Sequence, residues 1–356
     1  MRLKSIITVL LTVLLLISCS TRAPKIAFVD HEAEKRVDVM VDGKLFTSYC
    51  WPDNVMKPIL FPINTSAGTT ITRGYPIAPR PFETTDHPHH NGCWLNYGDV
   101  NGYNFWGNMG PGDPSDTSAA AVRRRSTLGS IRHQNIKSMT GGKGEGVLVC
   151  EESWVLDATG KELMAENTEY HFIAKGSTRI IDRITTLTAR EDSITFRDTK
   201  EGMFGIRVAR QLELPSQDRR PMTDAQGKPV REPVVTTEGV TGNYRSSEGI
   251  TGDAVWSTRA KWMDLYGNIG DEKISVVICD HPGNVSYPTY WHSRGYGLFC
   301  LNPFGARDFT QGKVVLNHTI PPGQTMTLKY RIIVNSGSHL TDDEINAYAD
   351  DFANKY

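Results

Sequence analysis

The sequence is short of paired cysteines, of net charge and of long apolar runs, and each shortage removes a class of protein. Six cysteines stand without CxxC spacing, so neither a disulfide framework nor a zinc knuckle is indicated. With Cys19 set aside five remain, an odd set that leaves room for one or two bridges and equally for buried free thiols. Lys and Arg (39) nearly cancel Asp and Glu (40), so no whole-molecule field points to nucleic acid or to an anionic membrane surface. After residue 18 nothing approaches the roughly 20 apolar residues of a spanning helix. Internal repeats, heptads and low-complexity tracts are missing, and helical periodicity is almost absent before residue 341.

What is present starts at the N-terminus. Arg2 and Lys4 precede an apolar run from Ile6 to Ile17, the pattern of a secretory signal too short to stay as a span. Leu16, Ile17 and Ser18 before Cys19 resemble a bacterial lipobox. The expectation is a lipoprotein signal peptide over 1–18, lipidation of Cys19, a tether over 19–26, and a place in the cell envelope, periplasmic or on the outer membrane. The lipid would then be the chain's one contact with membrane.

Short alternating strands fill the rest. "KRVDVMVDGKLFTSY" alternates Val37, Val39 and Val41, turns at Asp42-Gly43 and alternates again, a hairpin pattern. Similar segments recur at "GVLVCEESWVL", "TEYHFIA", "TRIIDRITTLTA", "SITFRDT", "KISVVICD" and "TMTLKYRIIV". In the last, Met326, Leu328, Tyr330, Ile332 and Val334 share one face. Thr341 and Glu344 form a capping box before Ile345, Tyr348 and Phe352 on one helical stripe. This predicts an all-β, mainly antiparallel fold: a large β-sandwich or supersandwich over 27–338 with a short C-terminal helix over 339–356 packed on it. The polar region from Pro215 to Gly252 reads as loops over one face.

Chemistry concentrates in four segments. "ETTDHPHHNGCW" places three of the ten histidines, His87, His89 and His90, just after Asp86. In an extended backbone His87 and His89 point together and His90 away. The spacing is cupin-like, but the glutamate a cupin site needs is missing from residues 91–97. "LNYGDVNGYNFWG" follows, mixing Trp94, Tyr97, Tyr103, Phe105 and Trp106 with Asn96, Asp99, Asn101 and Asn104. Flat rings beside amides suit sugars, whose C–H faces stack while their hydroxyls bond. "TRGYPIAPR" offers Arg73 and Arg80, "DTKEGMFGIRVAR" offers Asp198, Lys200, Glu201 and Arg207, and "CDHPGNVSYPTYWHSRGYGLFCLNPFG" offers His281, Tyr290, Trp291, His292, Arg294 and Asn302. Each has a bland reading, such as a solvated Lys200–Glu201 pair or a turn histidine at His281. Their shared mixture points to one pocket built from loops at a sandwich edge.

The stretches "TTDHPHHNGCWLNYGDVNGYNFWG", "TKEGMFGIRVA" and "PTYWHSRGYGLFCLNPFG" resemble the signature blocks of a secreted bacterial family of unknown function often labelled "PmoA-like" or "methane oxygenase". The sequence departs from the family at Asn91, where arginine is favoured, and at Cys93, where a larger apolar residue is common. The label's activity fails physically, because a membrane methane monooxygenase subunit needs several apolar spans. The resemblance implies a galactose-mutarotase-like β-supersandwich that accompanies sugar-degrading systems.

The leading expectation is therefore an envelope lipoprotein that cleaves or rearranges a glycoside or modified sugar by histidine acid/base chemistry, as hydrolase, lyase or epimerase. His89 or His90 with His292 would form the acid/base pair, with Glu201 as second base or orienting carboxylate. Arg73, Asn104, Arg207 and Arg294 would bind polar groups, Trp94, Trp106 and Trp291 would stack on the ring, and His133 would assist. A small carbohydrate is the expected partner; no cofactor is certain, and a divalent metal is possible. A divalent metal, if used, would take His87, His89 and His292, with Asp86 behind them. The competing readings are a non-catalytic glycan-binding lipoprotein and a metal-dependent oxygenase holding iron or copper.

Overall fold

Asp42 and Gly43 both adopt positive φ, 48° and 78°, and so close the hairpin of Arg36–Val41 and Lys44–Cys50 with a turn whose twist matches the strands it joins. In the computed structural model, which describes residues 23–230, 232–235 and 237–356, this hairpin belongs to a nine-stranded antiparallel sheet. Its order runs Tyr290–Trp291, Leu298–Asn302, Gly202–Arg207, Cys93–Tyr97, Ile59–Ile63, Lys44–Cys50, Arg36–Val41, Lys25–His31, Gly142–Lys143. An eight-stranded sheet runs Asn243–Ser246, Trp262–Ile269, Glu272–Asp280, Thr325–Ser336, Thr178–Ala189, Glu162–Lys175, Glu145–Leu156, Gly129–Thr140. The signal segment and Cys19 lie outside the described residues.

The two sheets pack face to face as a sandwich. Val39, Phe46, Leu95 and Phe204 from one and Phe172, Ile181, Leu328 and Ile332 from the other share one buried cluster. Phe204 stacks on Tyr330 with centroids 4.9 Å apart. The predicted face of Met326, Leu328, Tyr330, Ile332 and Val334 is buried in this cluster. Ile333, on the opposite face, joins Ile180, Val277 and Trp262 beneath the C-terminal helix. That strand thus buries both faces.

The helix Asp342–Lys355 begins with the expected capping box of Thr341 and Glu344. Ile345 and Phe352 are fully buried and Tyr348 partly so; burying one such phenylalanine stabilises by about 1.5–3 kcal/mol. Arg331 fixes the helix further. Its guanidinium donates to both Asp182 oxygens at 2.6 and 2.8 Å and to the Tyr348 carbonyl at 2.8 Å.

Two local expectations need correction. A second helix, Ala119–Ser126, starts at the Ser118 cap, whose side chain accepts from the Ala121 amide; the Asp/Thr/Ser run before three alanines carries that signal. Residues 86–92 are a turn and not a strand, with the His90 amide donating to the His87 carbonyl at 2.9 Å and His87 at φ 44°. All five described cysteines are free thiols, and no helix among the described residues is long and apolar enough to cross a membrane.

Candidate functional site

Three of the four segments singled out by composition contain neighbouring strands of one sheet. Cys93–Tyr97 pairs with Gly202–Arg207, which pairs with Leu298–Asn302. Their ends bring the distant histidines to one cavity of about 620 Å³, lined by His87, His89, His90, Asn104, Trp106, Lys200, Glu201, Trp256, His292, Arg294 and Tyr296, with Gly98 and Gly107. Glycine is needed at 98, where a Cβ would come within 2.6 Å of the Glu201 Cβ; the Gly98 amide donates to the Glu201 carbonyl at 2.7 Å.

The histidine turn is held from behind by Arg73. Its buried guanidinium donates to the carbonyls of Thr84, Asp86, His87 and His90 at 2.8–3.2 Å and to the Asp86 carboxylate at 3.0 Å. Arg207 donates to the same carboxylate at 2.6 Å. Burial alone would raise the Asp86 carboxyl, but Arg207, His87 and Arg73 hold it well below the usual carboxylate range. The two arginines therefore shape the turn from beneath and do not line the cavity, contrary to the ligand-binding role expected of them.

This turn puts all three imidazoles on the cavity wall, so His90 does not point away. Tyr296, His87, His90 and Trp94 form a continuous stack with centroid steps of 5.0, 4.9 and 5.3 Å and interplanar angles of 4°, 3° and 16°. Arg207 lies 5.0 Å from the Tyr296 ring centre at one end and Lys57 5.2 Å from that of Trp94 at the other, cation–π contacts that close the stack. Lys57 also donates to the His89 carbonyl at 2.7 Å. Trp106 touches both sides of the site, at 5.3 Å from His90 and 6.4 Å from His292.

Burial, reinforced by neighbouring cations, pushes His89 and His292 each down to about 3 and His90 well below its ordinary value. All three are neutral at pH 7. The Lys200 main chain opposes that fall at His292, and His292 Nδ1 is buried without a partner among the described residues. Both nitrogens of His90 and the indole Nε1 of Trp256 are likewise buried and unpartnered. Glu201 is the one carboxylate on this wall, 3.4 Å from Lys200 Nζ.

Several expected residues lie elsewhere. Trp94 is fully buried beneath His90, and Trp291 is fully buried in the main core with its indole N–H on the Ala260 carbonyl at 3.1 Å; neither can stack on a ligand. His133 lines a separate cavity of about 500 Å³, stacked on Trp51 at 4.0 Å. Asn104 does line the site, with its Oδ1 accepting from the Gly107 amide at 2.8 Å. Among the described residues no three His, Cys, Asp or Glu side chains are placed to hold one metal ion. The set His87, His89 and His292 is not assembled, because His87 is locked in the ring stack and His292 stands on the Trp106 side. Trp256 and Tyr296 escaped the sequence reading. Tyr296, between two glycines inside a quoted motif, could have been found, whereas nothing marks Trp256.

Among solved structures the chain is similar to the galactosidase domain of an alpha-galactosidase–sucrose kinase, at 10% identity and TM-score 0.38 over 87% of this chain and 41% of that one. It is similar to a GH36 alpha-galactosidase from Geobacillus stearothermophilus in complex with stachyose, at 11% identity and TM-score 0.35 over 88% and 40%. It also matches the Slr1438 protein from Synechocystis sp. PCC 6803, at 10% identity and TM-score 0.28 over 89% and 96%. The chain spans about two fifths of the length of the two galactosidase chains. No curated protein matches it. A family model matches residues 36–350, and the chain belongs to that family, a family of unknown function (DUF6807).

Proposed function

We propose that the chain acts on a carbohydrate in this cavity, removing a proton from a sugar with His292 as the base, in an elimination, epimerisation or cleavage of a modified sugar. One observation carries the reading: His90, His292 and Trp256, each with a buried polar atom unpartnered among the described residues, line one hollow walled by aromatic rings. An unsatisfied buried polar group costs about 1–3 kcal/mol, and sugar hydroxyls would satisfy these while a ring face lies against an indole.

The roles in this proposal follow from each group's surroundings. Neutral His292 has a ring nitrogen without a partner among the described residues, and a bound acidic or anionic group would raise its basicity from the depressed value of the empty site toward the working pH, where it accepts the proton. Lys200 and Arg294 lie where developing negative charge would be stabilised. Hydrolysis by two carboxylates needs a pair about 5–9.5 Å apart, and Glu201 has no carboxylate partner on this wall. His89 and His90, also neutral, orient the ligand, the partly exposed Trp256 supplies a flat face, and the buried Trp106 backs the cavity between His90 and His292. A galactose-mutarotase-like ancestry and a lipid anchor at Cys19 in the cell envelope belong to the same reading.

The test is turnover by the purified mature chain against neutral, oxidised and acidic glycosides. His292→Ala should abolish turnover while ligand affinity persists within about threefold. A wild type that binds these sugars and converts none of them is a glycan-binding protein, and the catalytic reading then fails.

A further inference from the structure

Resting on the carbohydrate reading above, we propose that the ligand is an anionic sugar whose carboxylate or sulfate seats on Arg294 beside the Trp256 indole N–H. Arg294 and Trp256 stand with Tyr296 at the junction of the main cavity and an adjoining pocket of about 310 Å³. The Arg294 guanidinium lies 5.2 Å from the Trp256 ring centre and forms no ion pair among the described residues.

The other cations around this junction face carboxylates. Lys200 faces Glu201 at 3.4 Å, and Arg220, on the adjoining pocket, faces Glu213 at 3.4 Å and Asp218 at 3.7 Å. Asp253 also lines that pocket, but its Oδ1 accepts from the Gly295 amide at 2.9 Å and it makes no ion pair with Arg294. Lys57, behind the histidine turn, has no carboxylate partner either. Among the described residues Arg294 is thus the cation on the cavity wall without an ion-pair partner, next to an indole N–H that is buried and unpartnered among them.

A neutral hydroxyl would satisfy the indole and leave the guanidinium as it is. An anionic group would accept from both, and charge-assisted bonds to a planar guanidinium are short, directional and about twice as strong as neutral ones. The adjoining pocket leaves room for the anionic substituent to extend beyond the ring that faces His292.

Calorimetry on the mature chain with D-glucuronate and D-galacturonate, the 6-sulfates of glucose and galactose, and plain D-glucose and D-galactose tests this. At least one anionic series should bind about tenfold to hundredfold more tightly than its neutral counterpart, with an advantage that shrinks as salt rises. The stronger of the uronate and sulfate arms identifies the anion. Arg294→Met should bring the anionic sugar down to the neutral sugar's affinity, and Arg294→Lys should keep part of the preference. Equal affinity for charged and neutral sugars, or a preference untouched in Arg294→Met, overturns the inference and leaves the carbohydrate reading standing. Failure of all six to bind overturns both.

Discussion

Replacing Arg73 with methionine removes the frame of the histidine turn while keeping most of the side chain's volume. The wild-type guanidinium satisfies four main-chain carbonyls and one carboxylate oxygen in a region shielded from solvent. Arg207 still pairs with Asp86 in the variant, so the carboxylate keeps one cation, but the carbonyls of Thr84, His87 and His90 lose this donor. Breaking one partner of a buried ionic cluster costs about 3–5 kcal/mol. With a urea dependence near the upper end for single domains, about 3 kcal/mol per molar, the midpoint should fall by about 1–1.7 M. Amide exchange in residues 84–92 should accelerate more than in the strands of the eight-stranded sheet, and affinity for the cavity's ligand should fall with it. A midpoint within about 0.2 M of wild type, with exchange in the turn unchanged, would refute the claim that Arg73 builds the site.

Three further outcomes follow from separate parts of the molecule. Thr341→Ala, which removes the capping box of the terminal helix, should lower stability by about 1 kcal/mol in chemical denaturation and leave sugar affinity alone. In the unfolded chain His292 takes up a proton near its ordinary value of 6.5, but the folded protein resists until about 3, so its contribution is complete above pH 6.5 and is lost as pH falls through that window. His292→Gln should therefore lose about 2 kcal/mol less stability than wild type between pH 6.5 and 5, measured by urea titrations at both values. Because His133 lines a different cavity, His133→Ala should change turnover by less than about twofold; loss comparable to that of His292→Ala would mean the wrong hollow has been assigned.

The sheets were legible because their strands carry period-two patterns with turn residues between them. Thr325–Ser336 shows how far that goes: its inner face reads directly as Met326, Leu328, Tyr330, Ile332 and Val334, whereas Ile333 on the other face signals only that something else covers it. That cover is the terminal helix, whose own stripe was also readable. The eight-residue helix Ala119–Ser126 was hidden because it buries no residue, so no apolar periodicity announces it.

At the site, composition located the segments but not the direction of each side chain. Arg73 and Arg207 look like ligand-binding guanidiniums in the sequence, and only the packing shows them turned inward onto Asp86. Trp291 sits one residue from His292, yet strand alternation sends it into the core and leaves the imidazole on the cavity. His133 has no local feature that separates it from the other histidines; its partner Tyr49, whose hydroxyl also donates to Glu152, arrives from a distant strand. Trp256 belongs to a poorly patterned stretch, so its place at the cavity junction depends wholly on tertiary structure.

The measurement closest to the central claim is a diffraction study of the mature chain soaked with the sugar that binds best in solution. The ring should lie in the cavity between the histidine turn and His292, with one of its atoms in hydrogen-bonding reach of His292 Nδ1 and a polar group on the Trp256 indole N–H. A sugar bound in the hollow beside Trp51 and His133, or in the main cavity with His292 Nδ1 still unpartnered, would contradict the account.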